Sequence, residues 1–399
     1  VQTPTLKRIQ SIDTFRALTM IAMIFVNDFW TLTGIPYWLQ HAEADVDFLG
    51  VSDVVFPCFL FILGMAIPFA IQNRLAKGDT HPQILVHIIS RSVALIIMGV
   101  FTVNVPDINE EATGMSQELF KILMVVAFFL VWNLYPSQEP SPKYLFKGFQ
   151  VLGVGILIYL AFIFQGNSDG KLVGFETKWW GILGLIGWTY LSCALIYLLA
   201  FPKPVVLVIF WAIFSFLPIA GHAGWLKTLW PSGPQDWILA TGAFHSFAFM
   251  GIMATLLLEW FQAKNRKIQI PSVFTIIGIG LIVIGILLHN FFIISKIQAT
   301  PTWVFLCSGI AFILYASLFF LLDLQDKGRW FQFIRTAGTS TLTCYVLPYV
   351  YYSVVSFIPF GLPSFLTSGG IGLIKSFLFS LLIVGIATLL GRLQVKLKI

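Results

Sequence analysis

The chain is built from apolar runs of about twenty residues, repeated from end to end and separated by polar joints. A helix rising 1.5 Å per residue crosses a bilayer in about 20 residues. Inside hydrocarbon every backbone N–H and C=O must be satisfied within the protein, so only helices and closed barrels span it. Barrel strands alternate apolar with polar residues, whereas these runs are continuous, and the pattern therefore predicts helices. Twelve spans fit, near 15–33, 52–71, 88–104, 118–135, 147–165, 179–200, 204–220, 240–261, 272–291, 302–322, 337–358 and 371–391. The expected fold is an all-α polytopic transmembrane helical bundle, a single domain over residues 1–399.

Charged residues make up 11% of the chain, against about 25% in soluble domains, and no polar stretch is long enough to build one. Lys and Arg gather in alternate joints (Lys7 and Arg8, Arg74 and Lys77, Lys143 and Lys147, Lys264 to Lys267, Lys327 to Arg335, Arg392 to Lys398). The joints between them hold most of the acids, from Glu43, Asp45 and Asp47 to Asp107, Glu110, Glu111 and Glu176. That alternation predicts both termini in the cytoplasm. The net charge of +6 is thus spent on topology and membrane lipid. Nucleic acid is not expected, because no basic patch interleaves with stacking aromatics. The first span follows Lys7-Arg8 without a small-residue cleavage site and is expected to be retained. Cys58, Cys193, Cys307 and Cys344 lie in apolar runs and read as packing residues. Gly181, Gly184 and Gly187 recur every three residues and predict a close helix contact.

Chemistry shows in the joint between the first two spans. His41 stands 14 residues after Asn27 and 12 before Asp53, and a helical hairpin brings all three to one membrane face. Ser52 and Asp53 suit the first turn of a helix, where free N–H groups favour a carboxylate. An ionised Asp beside a His holds one imidazole tautomer, leaving the other ring nitrogen as general base or nucleophile. Asn27 could donate to a developing oxyanion or orient the histidine. A solvated loop histidine and a simple helix cap are the plain alternatives.

The wording of this segment carries more than its spacing. Arg8-Ile-Gln-Ser-Ile-Asp13-Thr-Phe-Arg16-Ala-Leu, Met23-Ile-Phe-Val-Asn27, Tyr37-Trp38-Leu-Gln-His41-Ala and Val51-Ser-Asp53-Val-Val-Phe-Pro57 follow in unbroken order within residues 8–75. They resemble the heparan-α-glucosaminide N-acetyltransferase family, within the wider membrane acyltransferases. The resemblance implies acetyl-CoA as acyl donor, an amino sugar or glycan as acceptor, and transfer across the membrane. It makes His41 the catalytic histidine, Asn27 its partner and Asp53 an orienting or charge-stabilising group. The chain departs from the family at Asp28-Phe29-Trp30-Thr31-Leu32-Thr33 in place of a glycine run. It departs again at Cys58, at Thr339-Ser340 and at Pro348. These positions fall where acceptor contacts are expected, so the sugar stays open. Two spans beyond the family core are expected between 147 and 220.

Arg16 and Arg91 are expected at one end of their spans, snorkelling to lipid phosphate or binding CoA phosphates. Lys121 lies in an apolar run and must face a cavity, the donor pyrophosphate or Glu118. His245 and Lys296 are acceptor-side candidates, Lys296 for an anionic group. No metal-ligand spacing and no phosphate loop occur. A proton-coupled secondary transporter is the alternative, against which no repeated halves are visible. A bacterial inner membrane is the expected location, and a homodimer is left open.

Overall fold

The computed structural model describes residues 9–136, 143–168, 170–201, 203–228, 241–358 and 361–399. The helices are α1 Gln10–Asn27, α2 Val51–Ala76, α3 His81–Asn104, the short α4 Glu110–Thr113, α5 Gln117–Trp132, α6 Lys143–Ile163 and α7 Ile182–Ala200. They continue with α8 Pro204–His222, α9 Ala243–Ala263, α10 Ile270–His289, α11 Pro301–Phe319, the short α12 Arg335–Thr339, α13 Thr341–Ser356 and α14 Gly369–Arg392. A hairpin of β1 Gly166–Ser168 and β2 Lys171–Val173, with Asn167 opposite Leu172, is an addition that the apolar pattern does not signal.

Each of the twelve apolar runs maps onto a helix. Among the described residues, nine helices are long and apolar enough to cross a membrane. Of the other three, α5 and α13 have 16 residues each, and α1 carries Asp13 and Arg16 among its 18 residues. Two starts come earlier than expected, for local reasons. Gln10 and Ser11 donate their backbone N–H groups to the Asp323 carboxylate at 3.2 and 3.1 Å, which caps α1 ahead of its apolar run. Thr80 donates its N–H to Gln83 Oε1 at 2.7 Å, starting α3 at His81. Arg91 is therefore about 15 Å from the first residue of α3 and not at its end. The run at 337–358 is broken at Ser340, between α12 and α13.

Polar bonds gather the element ends into two sets. Asp28 with Lys375, His41 with Asp53 and Lys296, Asp47 with His289, and Asp107 with Lys178 mark one end of the bundle. We refer to it as the His41 end. The opposite end holds Arg74 with Asp79, the Asp323 cap and the pairing of Leu134 with Lys396.

Backbones meet where glycines allow it. A β-carbon on Gly64 would fall 1.9 Å from the Ala248 carbonyl oxygen, and one on Gly251 would fall 1.9 Å from that of Phe61, so α2 and α9 touch directly. The expected contact at Gly181, Gly184 and Gly187 is present too. A β-carbon on Gly99 of α3 would lie 2.3 Å from the Gly184 nitrogen. Replacing Gly251 with Val should force α2 and α9 apart and cost about 1–3 kcal/mol or more. In detergent thermal melts Gly251→Val should melt well below wild type. Gly280→Val, with nothing within 4 Å, should not. Equal melting of all three would refute the close packing.

Candidate active site

The loop after α1 returns over the start of α2, and three bonds fix it there. Ser52 Oγ donates to the Leu39 carbonyl at 2.5 Å. The Asp53 carboxylate accepts the Ala42 N–H at 3.0 Å and reaches back to the Gly50 N–H at 3.3 Å. Gly50 has to be glycine for this path, because a β-carbon would fall 1.8 Å from the Gln40 carbonyl oxygen. The result puts His41 Nδ1 2.7 Å from Asp53 Oδ1. The Asp53 side chain is 2% exposed and that of His41 44%, so a sealed carboxylate backs a ring open to solvent. At that distance the carboxylate needs a donor, which assigns the proton to Nδ1 and leaves Nε2 with a free lone pair.

Residues far along the chain brace the pair. Trp303, fully buried in α11, donates its indole N–H to the Asp53 carbonyl at 3.1 Å. Trp303 opens an apolar run with nothing in the sequence to single it out, and only its pairing with α2 reveals the bracing role. Lys296 Nζ lies 3.7 Å from Asp53 Oδ1 and 3.1 Å from His41 Nδ1; with Nδ1 donating to Asp53, the ammonium is drawn to the carboxylate and makes no hydrogen bond to the ring nitrogen. It is thus paired with Asp53 beside His41, with its side chain 27% exposed, and lines neither of the cavities that hold Arg91 and Asn27. Burial lowers the Lys296 ammonium from its ordinary pKa, with Asp53 opposing. A second pair stitches the same two loops. Asp47 accepts the Ile294 N–H at 2.8 Å and sits 2.7 Å from His289 Nε2. The Ile294 hydrogen bond, followed by His289, holds the Asp47 carboxyl below its usual range.

Arg16 and Arg91 come together. Both line a cavity of about 380 Å³ between α1, α2, α3, α7 and α13, with Lys398 as a third cation and Met20, Leu63 and Leu342 as apolar wall. Arg91 stacks on Tyr190 at 4.7 Å, and its buried Nε has no hydrogen-bond partner. The guanidinium therefore faces a cavity inside the bundle, close to the chain segment around Lys396 and Lys398.

Asn27 and Lys121 share a different cavity, about 320 Å³, walled by Trp30, Tyr345, Pro348, Tyr349, Tyr352 and Phe379. Lys121 therefore does not join Arg16 and Arg91. Met23 and Tyr345 line both cavities, so the two adjoin. Asn27 makes no hydrogen bond to His41 or Asp53, and His41 lines neither cavity. His245 is fully buried, stacked on Phe214 at 4.7 Å with both ring nitrogens unpartnered, and lines neither cavity. Such a residue cannot touch an acceptor without the helices moving apart. Among the described residues no group of His, Cys, Asp and Glu could hold a metal ion.

A domain of unknown function, DUF5009, matches residues 8–261, more than half of the chain. The chain belongs to the DUF5009 family. A 98-residue stretch of this DUF5009 protein, 24% of its length, is 39% identical to heparan-alpha-glucosaminide N-acetyltransferase of Homo sapiens. The stretch is 38% identical to the Mus musculus protein of the same name. It spans 14% of the length of each relative.

Proposed function

We propose that this DUF5009 protein is a membrane acyltransferase that moves an acyl group, acetyl foremost, from an acyl-CoA to an amino or hydroxyl group of a sugar. The observation that supports this best is the pair of adjoining cavities. One is apolar-walled and carries Arg91, Lys398 and Arg16, the last paired with Asp13 at 3.5 Å; the other holds Asn27 and Lys121 within an aromatic wall, and they share Met23 and Tyr345. The similarity to named N-acetyltransferases agrees with it.

Acyl-CoA supplies a thioester whose acyl carbon is the electrophile. Arg16, Arg91 and Lys398 fit its phosphates, and the orphaned Arg91 Nε is a donor lacking an acceptor. His41 lies outside both cavities, so this reading requires the reacting acceptor group and the thioester to extend to its solvent-open ring; there Nε2 takes the proton from the acceptor nitrogen or oxygen as it attacks, and returns it to the leaving sulfur. The products are the acylated sugar and free CoA thiol. Asp53 holds the tautomer and stabilises the imidazolium formed between the two transfers. Asn27 is a positioning or oxyanion donor within its cavity. In this reading the Arg74 end, which gathers the basic joints, faces the cytoplasm, where CoA is found, and the His41 end faces outside. Holding both reactants in one protein supplies the proximity that two compartments deny.

The test is calorimetric titration of acetyl-CoA into detergent-purified full chain, wild type beside Arg91→Ala. Saturable binding is expected, weakened tenfold or more by the substitution. No binding of acetyl-CoA or of longer acyl-CoAs would overturn the proposal and favour a transporter.

A further inference from the structure

The Asp53 carboxylate is sealed, with 2% of its side chain exposed, so a cation close at hand is needed to balance its charge. The Ala42 and Gly50 N–H groups bond to Oδ2 but bring no net charge. Among the described residues two side chains can serve. One is the His41 ring, with Nδ1 2.7 Å from Oδ1, and the other is Lys296, with Nζ 3.7 Å from the same oxygen. Which of them carries the positive charge decides whether His41 can be a base. An imidazolium has a proton on each ring nitrogen, and its Nε2 has no lone pair to offer. A neutral ring with its proton on Nδ1 keeps that lone pair.

The loop between α10 and α11 is clamped so as to bring Lys296 to this place. Ser295 Oγ donates to the Ala44 carbonyl at 2.7 Å. Gln298 Nε2 donates to the same carbonyl at 3.0 Å and to Asp45 Oδ1 at 2.9 Å. With Asp47 holding Ile294 and His289, these bonds fix both sides of the lysine. They also occupy the neighbouring acids, since Asp45 is taken by Gln298 and Asp47 by His289. Glu43 is exposed to solvent, and Cys307 of α11 offers only a thiol, 4.0 Å from the Asp53 carbonyl oxygen. A fixed ammonium 3.1 Å from Nδ1 also opposes a second positive charge on the ring.

We propose that Lys296 is a positioning residue: it supplies the counter-ion of Asp53, and so leaves His41 neutral with Nε2 free to take a proton. It touches no reactant and acts through the carboxylate. The inference rests on the acyltransferase reading only for the use made of the base. In that reaction the same ammonium favours return of the proton from the ring to the leaving sulfur.

Diethyl pyrocarbonate modifies the neutral imidazole and not the imidazolium, and a ring 44% exposed is within its reach. Its rate at residue 41 is followed by peptide mass spectrometry in the full chain in detergent, for wild type, Lys296→Met and Lys296→Arg. At about pH 6, Lys296→Met should react at least tenfold more slowly than wild type, and at about pH 9 it should match wild type. Lys296→Arg should follow wild type at both, and exposed His81 should react alike in all three. Equal rates for Lys296→Met and wild type at the lower pH overturn the assignment. So does a Lys296→Met that stays slow at the higher pH, where access and not charge would be at fault, or a Lys296→Arg as slow as Lys296→Met. The readout needs neither acyl-CoA nor turnover, and CoA-thiol release is measured separately. A slowed Lys296→Met with no release by wild type leaves Lys296 assigned and sinks the acyltransferase reading, and the converse sinks only the Lys296 assignment.

Discussion

Replacing His41 with Ala should abolish acyl transfer while acetyl-CoA binding stays at the wild-type level. A general base or acyl carrier contributes about 10²–10⁴-fold, so turnover should fall at least into that range. Folding should survive, because the ring is 44% exposed and the loop is held by backbone bonds to Asp53 and by Ser52, not by the imidazole. Asp53→Asn is the informative companion. An amide NH₂ turned to Nδ1 would reverse the tautomer, protonate Nε2 and remove the free lone pair. The loss should match that of His41→Ala within about tenfold, and the double variant should be no worse than either single one, since the two act as a unit. CoA-thiol release measured with a saturating acyl-CoA separates the outcomes. Turnover of His41→Ala at the wild-type rate would sink the mechanism, and additive losses would mean that Asp53 acts independently of the ring.

The fold was largely legible because membrane helices announce themselves by length and continuity of apolar residues. The junctions were not, since they depend on partners distant in sequence. The early start of α1 needs Asp323 from beyond α11, and the early start of α3 rests on a Thr80–Gln83 box outside the apolar run. At the site, the spacing and wording of residues 27–53 bring out His41 and Asp53, which the structure brings to 2.7 Å. The same segment carried no sign of Trp303 or Lys296 as neighbours, because both arrive from the far side of α10. Lys121 was marked by being charged in an apolar run, but which cavity it faces is a tertiary fact.

Asp28 shows most sharply how a departure in sequence becomes a structural device. It stands where the resembling family has glycines, is 2% exposed, and accepts hydrogen bonds from Tyr352, from Ser376 and from Lys375, the last at 2.7 Å. Lys375 also donates to Thr31 Oγ1 at 2.7 Å, so one buried charge pair ties the end of α1 to α13 and α14. Asp28→Leu should leave Lys375 without its counter-ion and destabilise the protein by about 3–5 kcal/mol, the usual cost of breaking a buried pair from one side. Lys375→Met should cost comparably, by stranding the carboxylate. The double variant should recover most of the loss, because two apolar side chains leave no charge to solvate. Thermal melts of the full chain in detergent give the comparison, and a double variant as unstable as the sum of the singles would contradict it. Since Trp30 and Tyr352 pack edge to face at 5.2 Å and both wall the Asn27 cavity, the single variants should also weaken sugar binding there. The pair would then serve the site as well as the fold: it holds the residue after Asn27 against α14 and so sets the direction in which the Asn27 amide enters its cavity.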